Sequence, residues 1–156
     1  MRYLVLIFTI LLMASLCPQV SAAAIDNSTV QYYVNIYNSR IDNSPDILRS
    51  LVGSERIDLN IIRNDGSIYR TGFVMQNARI SSIVEGGVSD PTISINATED
   101  SINRIRSSDD PISTFQQERN FGGINIQGNT LTTKIKLGVV LSNTDVLRFF
   151  YNIFFG

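Results

Sequence analysis

Two pairs of neighbouring carboxylates, Glu99-Asp100 and Asp109-Asp110, are the first groups in this chain to weigh for chemistry. Paired acids can share a proton for acid-base catalysis or hold a divalent cation. Consecutive side chains leave the backbone in different directions, however, so neighbours in sequence do not converge on one atom. Each pair also stands where a helix start favours negative charge, the first behind Thr98 and the second ahead of Pro111. Capping is their expected work. Histidine is absent, and the single cysteine, Cys17, lies in the apolar leader. The usual general base, the thiol nucleophile and the common zinc ligands are therefore missing. No Gly-x-Ser-x-Gly elbow, phosphate loop or calcium-loop spacing occurs. The sequence reads as a non-enzyme with no catalytic residue, metal or cofactor. A carboxylate-only enzyme ranks third among the readings and would need a raised pKa at Glu99 or Asp110 inside a cleft.

Arg2 is followed by an uncharged run from Tyr3 to Leu16, the basic and apolar parts of a secretory signal. The run is short for a membrane span, which takes about 20 apolar residues. Pro18 and the small residues Val20-Ser21-Ala22 follow, so cleavage is expected after Ala22, with Ala23 and Ala24 as near alternatives. Residues 1–22 then form a signal peptide and 23–156 one domain, secreted or extracytoplasmic. Cys17 is no lipoprotein cysteine on this reading, because Leu16 stands where a small residue is wanted and Pro18 follows directly. The mature domain has no disulfide, so its fold rests on packing. A net charge of −1 over 156 residues gives no field that favours nucleic acid or an anionic membrane surface. Asn27-Ser28-Thr29 and Asn96-Ala97-Thr98 match the glycosylation triplet, which has meaning in an exported chain.

The elements that position these groups come in a definite order. Val30, Tyr33, Val34, Tyr37 and Ile41 recur at helical spacing, with Asn27 or Ser28 as cap, and Ser44-Pro45-Asp46 starts a second, short helix that Gly53 closes. The period then changes to two. Ile57, Leu59 and Ile61 alternate with polar residues, Asn64-Asp65-Gly66 supplies positive-φ residues for a turn, and Ile68 to Met75 returns with Tyr69, Phe73 and Met75 inward. Gln76-Asn77 turns the chain into Arg79–Glu85, and Asp90-Pro91 leads to a fourth strand, Thr92 to Asn96. Two short helices follow, one from Thr98 and one from Pro111, then a fifth strand from Ile124 to Gln127. A helix from about Thr130 to Leu141 and a Phe-rich helix capped by Ser142 complete the chain.

This order resembles the sterol-carrier-protein-like family. The likeness rests on Asp90-Pro91-Thr92-Ile93-Ser94-Ile95, Thr98-Glu99-Asp100, Asp110-Pro111-Ile112, Phe115, Ile124-Asn125-Ile126-Gln127-Gly128-Asn129 and Lys134-Ile135-Lys136. It spans nearly the whole mature chain and looks nearest to exported archaeal versions. The resemblance implies an α+β fold, a five-stranded mixed sheet with helices on one face, and in some members a fatty-acyl or sterol ligand held in an apolar tunnel between the layers. Two departures stand out. The segment from Phe115 to Gly122 is longer and more polar than the family's helix-to-strand step, which bears on the tunnel mouth. The chain also ends Phe154-Phe155-Gly156 instead of in a peroxisomal tripeptide, so an intracellular transfer role does not carry over.

The ligand-lining set expected from this is Phe73, Met75, Ile93, Ile95, Ile102, Ile105, Phe115, Phe121, Leu131 and Ile135. For any single one of them plain core is the preferred reading, since any packed sheet needs an apolar face. An empty apolar pocket of about 300 Å³ would cost on the order of 7 kcal/mol, against about 5–15 kcal/mol for a whole domain. A tunnel must therefore be filled by an apolar molecule, be wet, or have collapsed. At the C-terminus Phe149, Phe150, Tyr151, Phe154 and Phe155 crowd around Arg148 in a segment too short to span a bilayer. A lid over the domain's own core, an interfacial membrane anchor and a self-association surface compete for it. Partial packing, with the remainder on a membrane or a partner, ranks first. The leading functional reading is an exported carrier of a fatty-acyl or sterol-like lipid. The alternative is a structural or interaction module with a collapsed tunnel.

Overall fold

The computed structural model of the protein describes residues 26–51 and 53–154, so the expected signal peptide, its cleavage site and Phe155 lie outside the described residues. Helix α1 (Asn27–Arg40) is capped by Asp26, not by Asn27 or Ser28, its carboxylate accepting the Thr29 N–H at 2.8 Å and the Ser28 hydroxyl at 2.7 Å. The Thr29 bond first, then Ser28, holds the Asp26 pKa down to about 2. Val30, Val34 and Tyr37 fall on one stripe and are buried. A 3-10 turn and the short helix α2 (Asp46–Leu51) follow.

Strands β1 (Arg56–Ile62), β2 (Ile68–Gln76) and β3 (Arg79–Glu85) form an antiparallel meander. The first connection differs from the sequence expectation. Of Asn64, Asp65 and Gly66 only Gly66 has positive φ, at +82°, and the Asp65 carboxylate accepts the Ser67 N–H at 2.8 Å. A loop of about five residues can reverse the chain with one left-handed residue, where a two-residue turn needs two. That tight turn occurs next, one residue later than Gln76-Asn77 suggests: Asn77 and Ala78 have φ of 51° and 62°. Alanine is strained there by its Cβ. The Tyr37 hydroxyl, donating to the Ala78 carbonyl at 2.7 Å, and the Ala78 N–H, donating to the Gly53 carbonyl at 3.1 Å, hold it in place.

Strand β4 (Ile93–Thr98) lies parallel to β1, so the chain must cross from the far edge of the sheet over β2 and β1. It does so without a helix, in direct contact with the strands. At Gly72 a Cβ would stand 2.6 Å from the backbone nitrogen of Val88. Beneath the crossing, Asp58 accepts the Val88 N–H at 3.2 Å and pairs with Arg70 at 3.0 Å. A glycine at 72 is what lets the segment lie this close.

Helices α3 (Glu99–Arg106) and α4 (Pro111–Phe121), strand β5 (Ile124–Gly128) and helices α5 (Leu131–Ser142) and α6 (Thr144–Phe154) complete the fold. Thr98 and Asp110 cap α3 and α4 through the N–H groups of Ser101 and Ser113, each at 3.1 Å. Thr130 and Thr133 exchange capping bonds at the start of α5. The cap of α6 is Asn143, whose Oδ1 accepts from Asp145 and Val146, while the Ser142 hydroxyl expected in that role donates to the Gly138 carbonyl.

The sheet order is β3-β2-β1-β4-β5, mixed, with β5 antiparallel to β4. Register puts Ile57, Leu59, Ile61, Phe73, Ile93, Ile95, Ala97, Ile124 and Ile126 on one face and Asp58, Asn60, Arg70, Ser94, Asn96, Asn125 and Gln127 on the other. Side chains of the helices pack on the apolar face, which makes the α+β architecture expected from the sequence. They form two separate buried clusters. The larger joins Tyr37, Ile41, Leu48, Met75, Val140, Val146 and Ile153. The smaller joins Ala97, Ile105 and Ile124, with Ile102, Phe115 and Ile126 against it.

Candidate functional site

Between the clusters the apolar face of the sheet is incompletely covered. Register aligns three rows across strands β1, β4 and β5. Ile61, Ala97 and Ile124 form one outer row and are buried, and Ile93 and Gly128 are buried in the other. The row between them, Leu59, Ile95 and Ile126, is only half-buried, as is Phe73 on β2 beside Ile57. Leu59, Ile95 and Ile126 thus form a half-covered apolar stripe, a shallow trough across the strands to edge strand β5, with a buried row on one side and on the other a row that is buried at Ile93 and Gly128 but half-buried at Ile57. Backbone groups there are satisfied by the ladder, so the trough offers hydrocarbon and little hydrogen bonding.

The expected lining residues divide accordingly. Met75, Ile93 and Ile105 are buried, Met75 in the larger cluster and Ile105 in the smaller. Ile95 lies in the trough row and half-buried Phe73 stands in the row beside it, opposite Ile57, while Ile102 and Phe115 pack against the smaller cluster. Phe121, Leu131 and Ile135 do not line an interior, being 86, 75 and 63% exposed. Phe121 ends α4, where Gly122 at φ +82° turns the chain away. Leu131 and Ile135 lie on the outer side of α5, because Thr133 and Val140 take its inner side. Leu59 and Ile126 were missing from the expected set, although the alternation through Ile57-Leu59-Ile61 and Ile124-Ile126 places them on the same face.

Partial packing is the first expectation for the aromatic C-terminal segment. Helix α6 is wedged among α1, α4 and α5, so several of its sides are covered at once. Phe149 and Phe150 pack on the larger cluster, and Phe150 stacks on Tyr37 with an interplanar angle of 3°. Tyr151 is half-buried, and the exposed positions are Thr144, Asp145, Arg148 and Asn152. The described part of α6 thus turns Phe149 and Phe150, expected as membrane or partner contacts, toward the core and has a polar outer edge; the side chain of Phe154 lies outside the description.

The acid groups do structural work. Glu99 accepts the Asn64 N–H at 2.9 Å and ties α3 to the hairpin loop, and Asp110 is a cap. A buried clasp not foreseen from sequence joins α3 to α4. Glu118 receives Arg104 Nε at 2.6 Å and the Ser101 hydroxyl at 2.6 Å, and Ser101 is wholly buried. The Arg104 bond, then the Ser101 bond, holds the Glu118 pKa down to about 2, which makes it a poor base at neutral pH. This clasp also accounts for the polar stretch from Phe115 to Gly122, which is simply the rest of α4. Burial of Tyr37 pushes its phenol up to about 12. Among the described residues no group of three potential metal ligands gathers, and no helix is long and apolar enough to cross a membrane.

Two open clefts lie elsewhere. One of about 460 Å³ is lined by Asp26, Asn27, Arg63, Tyr69, Arg70 and Glu85, a balanced mixture of charges. A smaller one, about 230 Å³, runs between α1 and edge strand β3, where the Asn38 amide donates to the Ile80 carbonyl and accepts its N–H, both at 2.8 Å. That side chain completes the exposed strand edge.

No protein-family model matches the sequence, and no curated protein does. Solved structures do. The sterol carrier protein domain 2 of Helicoverpa armigera aligns at 18% identity over 74% of this chain and 87% of its own, with a TM-score of 0.49. A palmitated sterol carrier protein 2-like protein of Aedes aegypti aligns at 14% identity over 73 and 95%, with a TM-score of 0.46. A conserved hypothetical protein of Thermus thermophilus, described as possibly a sterol carrier protein, aligns at 10% identity over 84 and 90%, with a TM-score of 0.51. The described residues adopt the sterol-carrier-protein-like fold.

Proposed function

We propose that this domain is a non-catalytic carrier that holds one apolar chain, of the fatty-acyl or sterol class, in the trough over Leu59, Ile95 and Ile126. The observation that carries this is the row Leu59, Ile95 and Ile126, half-buried beside the fully buried row Ile61, Ala97 and Ile124. Interiors are close-packed, so an apolar row left partly open forgoes contacts that a bound apolar molecule would restore. The sterol-carrier-protein-like fold supports the same reading. Burial of acyl methylenes at about 0.8 kcal/mol each gives ample driving force for a medium-length chain.

The reading includes export. Expressed from the full sequence, the protein recovered outside the cytoplasm should begin at or close to Ala23; a chain retained inside with Met1 intact would remove that part. Lipid binding is tested by filling the trough. Ile95→Trp should keep the circular dichroism of the parent and lose uptake of a fluorescent fatty acid by about tenfold or more, since the indole takes the volume an acyl chain would fill. Undiminished uptake by the folded variant contradicts the site.

A further inference from the structure

Tyr32, Ile62, Ile68 and Phe121 are exposed singly or in pairs on other elements, but on α5 three exposed apolar side chains share one side of a helix. Leu131, Ile135 and Val139 follow one another at i, i+4, i+8 and are 75, 63 and 43% exposed, so they form a straight stripe along the outer side of the helix. Lys134 stands beside the stripe, exposed, and makes no ion pair among the described residues. Helix α5 contains two lysines and no carboxylate. Lys134 also sits in the N-terminal half of the helix, where the macrodipole disfavours a cation. Among the described residues nothing thus accounts for either the stripe or the charge.

We infer that this side of α5 docks on an anionic lipid bilayer, with Leu131, Ile135 and Val139 entering the interface and Lys134 among the headgroups. Charge and shape both select this occupant. The stripe carries positive charge only, which complements anionic headgroups. A row of three side chains one helix wide is far short of the roughly 20–30 residues a side of a stable protein interface, whereas shallow insertion of an amphipathic face needs no more. Position agrees as well. Helix α5 packs against β5, the edge strand at which the trough ends at Ile126, so docking would bring that end of the trough to the bilayer. This last point rests on the carrier reading; the docking itself does not.

The test is sedimentation of the purified protein with vesicles of phosphatidylcholine alone and of phosphatidylcholine with a third phosphatidylglycerol. Binding should appear on the anionic vesicles and weaken with salt. Ile135→Asp, at a position already in water, should keep the fold and abolish binding, and Lys134→Glu should weaken it roughly tenfold or more, since each basic residue near such a surface contributes about fivefold. Equal binding by the folded Ile135→Asp protein, or none by the parent, overturns the inference. So does a dimer of the parent that Ile135→Asp dissociates, which would make the stripe a contact between copies. Fatty-acid uptake is read on the same samples. Loss of docking with uptake intact separates this surface from the trough, and loss of uptake in Ile95→Trp with docking intact does the reverse.

Discussion

At the scale of single residues, several charges of the described chain join one element to another. Glu118 is the clearest case, a buried carboxylate held by Arg104 and Ser101 across two helices. Its folded pKa, about 2, lies below the ordinary value of 4.5, so the clasp stabilises fully above that ordinary value and is lost as pH falls from there toward 2. Glu118→Gln should cost about 1–3 kcal/mol in urea unfolding at pH 7, and the gap from the parent should narrow at pH 3. An unchanged gap would mean that the carboxylate's charge is not what joins α3 to α4. Tyr37 is a second case. Tyr37→Phe leaves the carbonyl of the left-handed Ala78 without its 2.7 Å donor and should lower stability by about 1–3 kcal/mol in the same measurement. Neither residue was identifiable from sequence as a partner for the other end of its bond, 14 residues away for Glu118 and 41 for Tyr37, because periodicity reports which side of an element a residue is on and not what that side meets.

At the scale of elements, helices and strands were legible because their signals are local. Alternation of Ile57, Leu59 and Ile61, the caps Thr98 and Asp110 and the breaks at Pro111 and Gly122 each act within a few residues. What failed was the partner of each face. Leu131 and Ile135 look like core by type, yet α5 turns them outward because Thr133 and Val140 occupy its inner side. Phe149 and Phe150 were expected to pack only in part, and the sequence did not say that α1, α4 and α5 would all contact α6. Ile153, 3% exposed, therefore belongs to the core, and Ile153→Ala should cost about 2–5 kcal/mol in denaturant unfolding. A change below about 0.5 kcal/mol, the range of ordinary surface substitutions, would show instead that α6 is only loosely attached. Arg148→Ala, on the outer edge of the same helix, should be nearly silent.

At the scale of the whole molecule, the order of elements pointed to the sheet and its covering layer, and the strand order β3-β2-β1-β4-β5 agrees with it. The trough was only partly legible. Phe73 and Ile95 follow from alternation, but no sequence pattern distinguishes a sealed row from a half-covered one, since that depends on where the two helical clusters stop. The carrier account therefore stands on how Leu59, Ile95 and Ile126 are filled. Native mass spectrometry of the protein purified without detergent tests this most directly. The account predicts a species heavier than the bare chain by one lipid, or conversion to such a species when a fatty acid is added. Bare chain throughout, with added fatty acid left unbound, would contradict it.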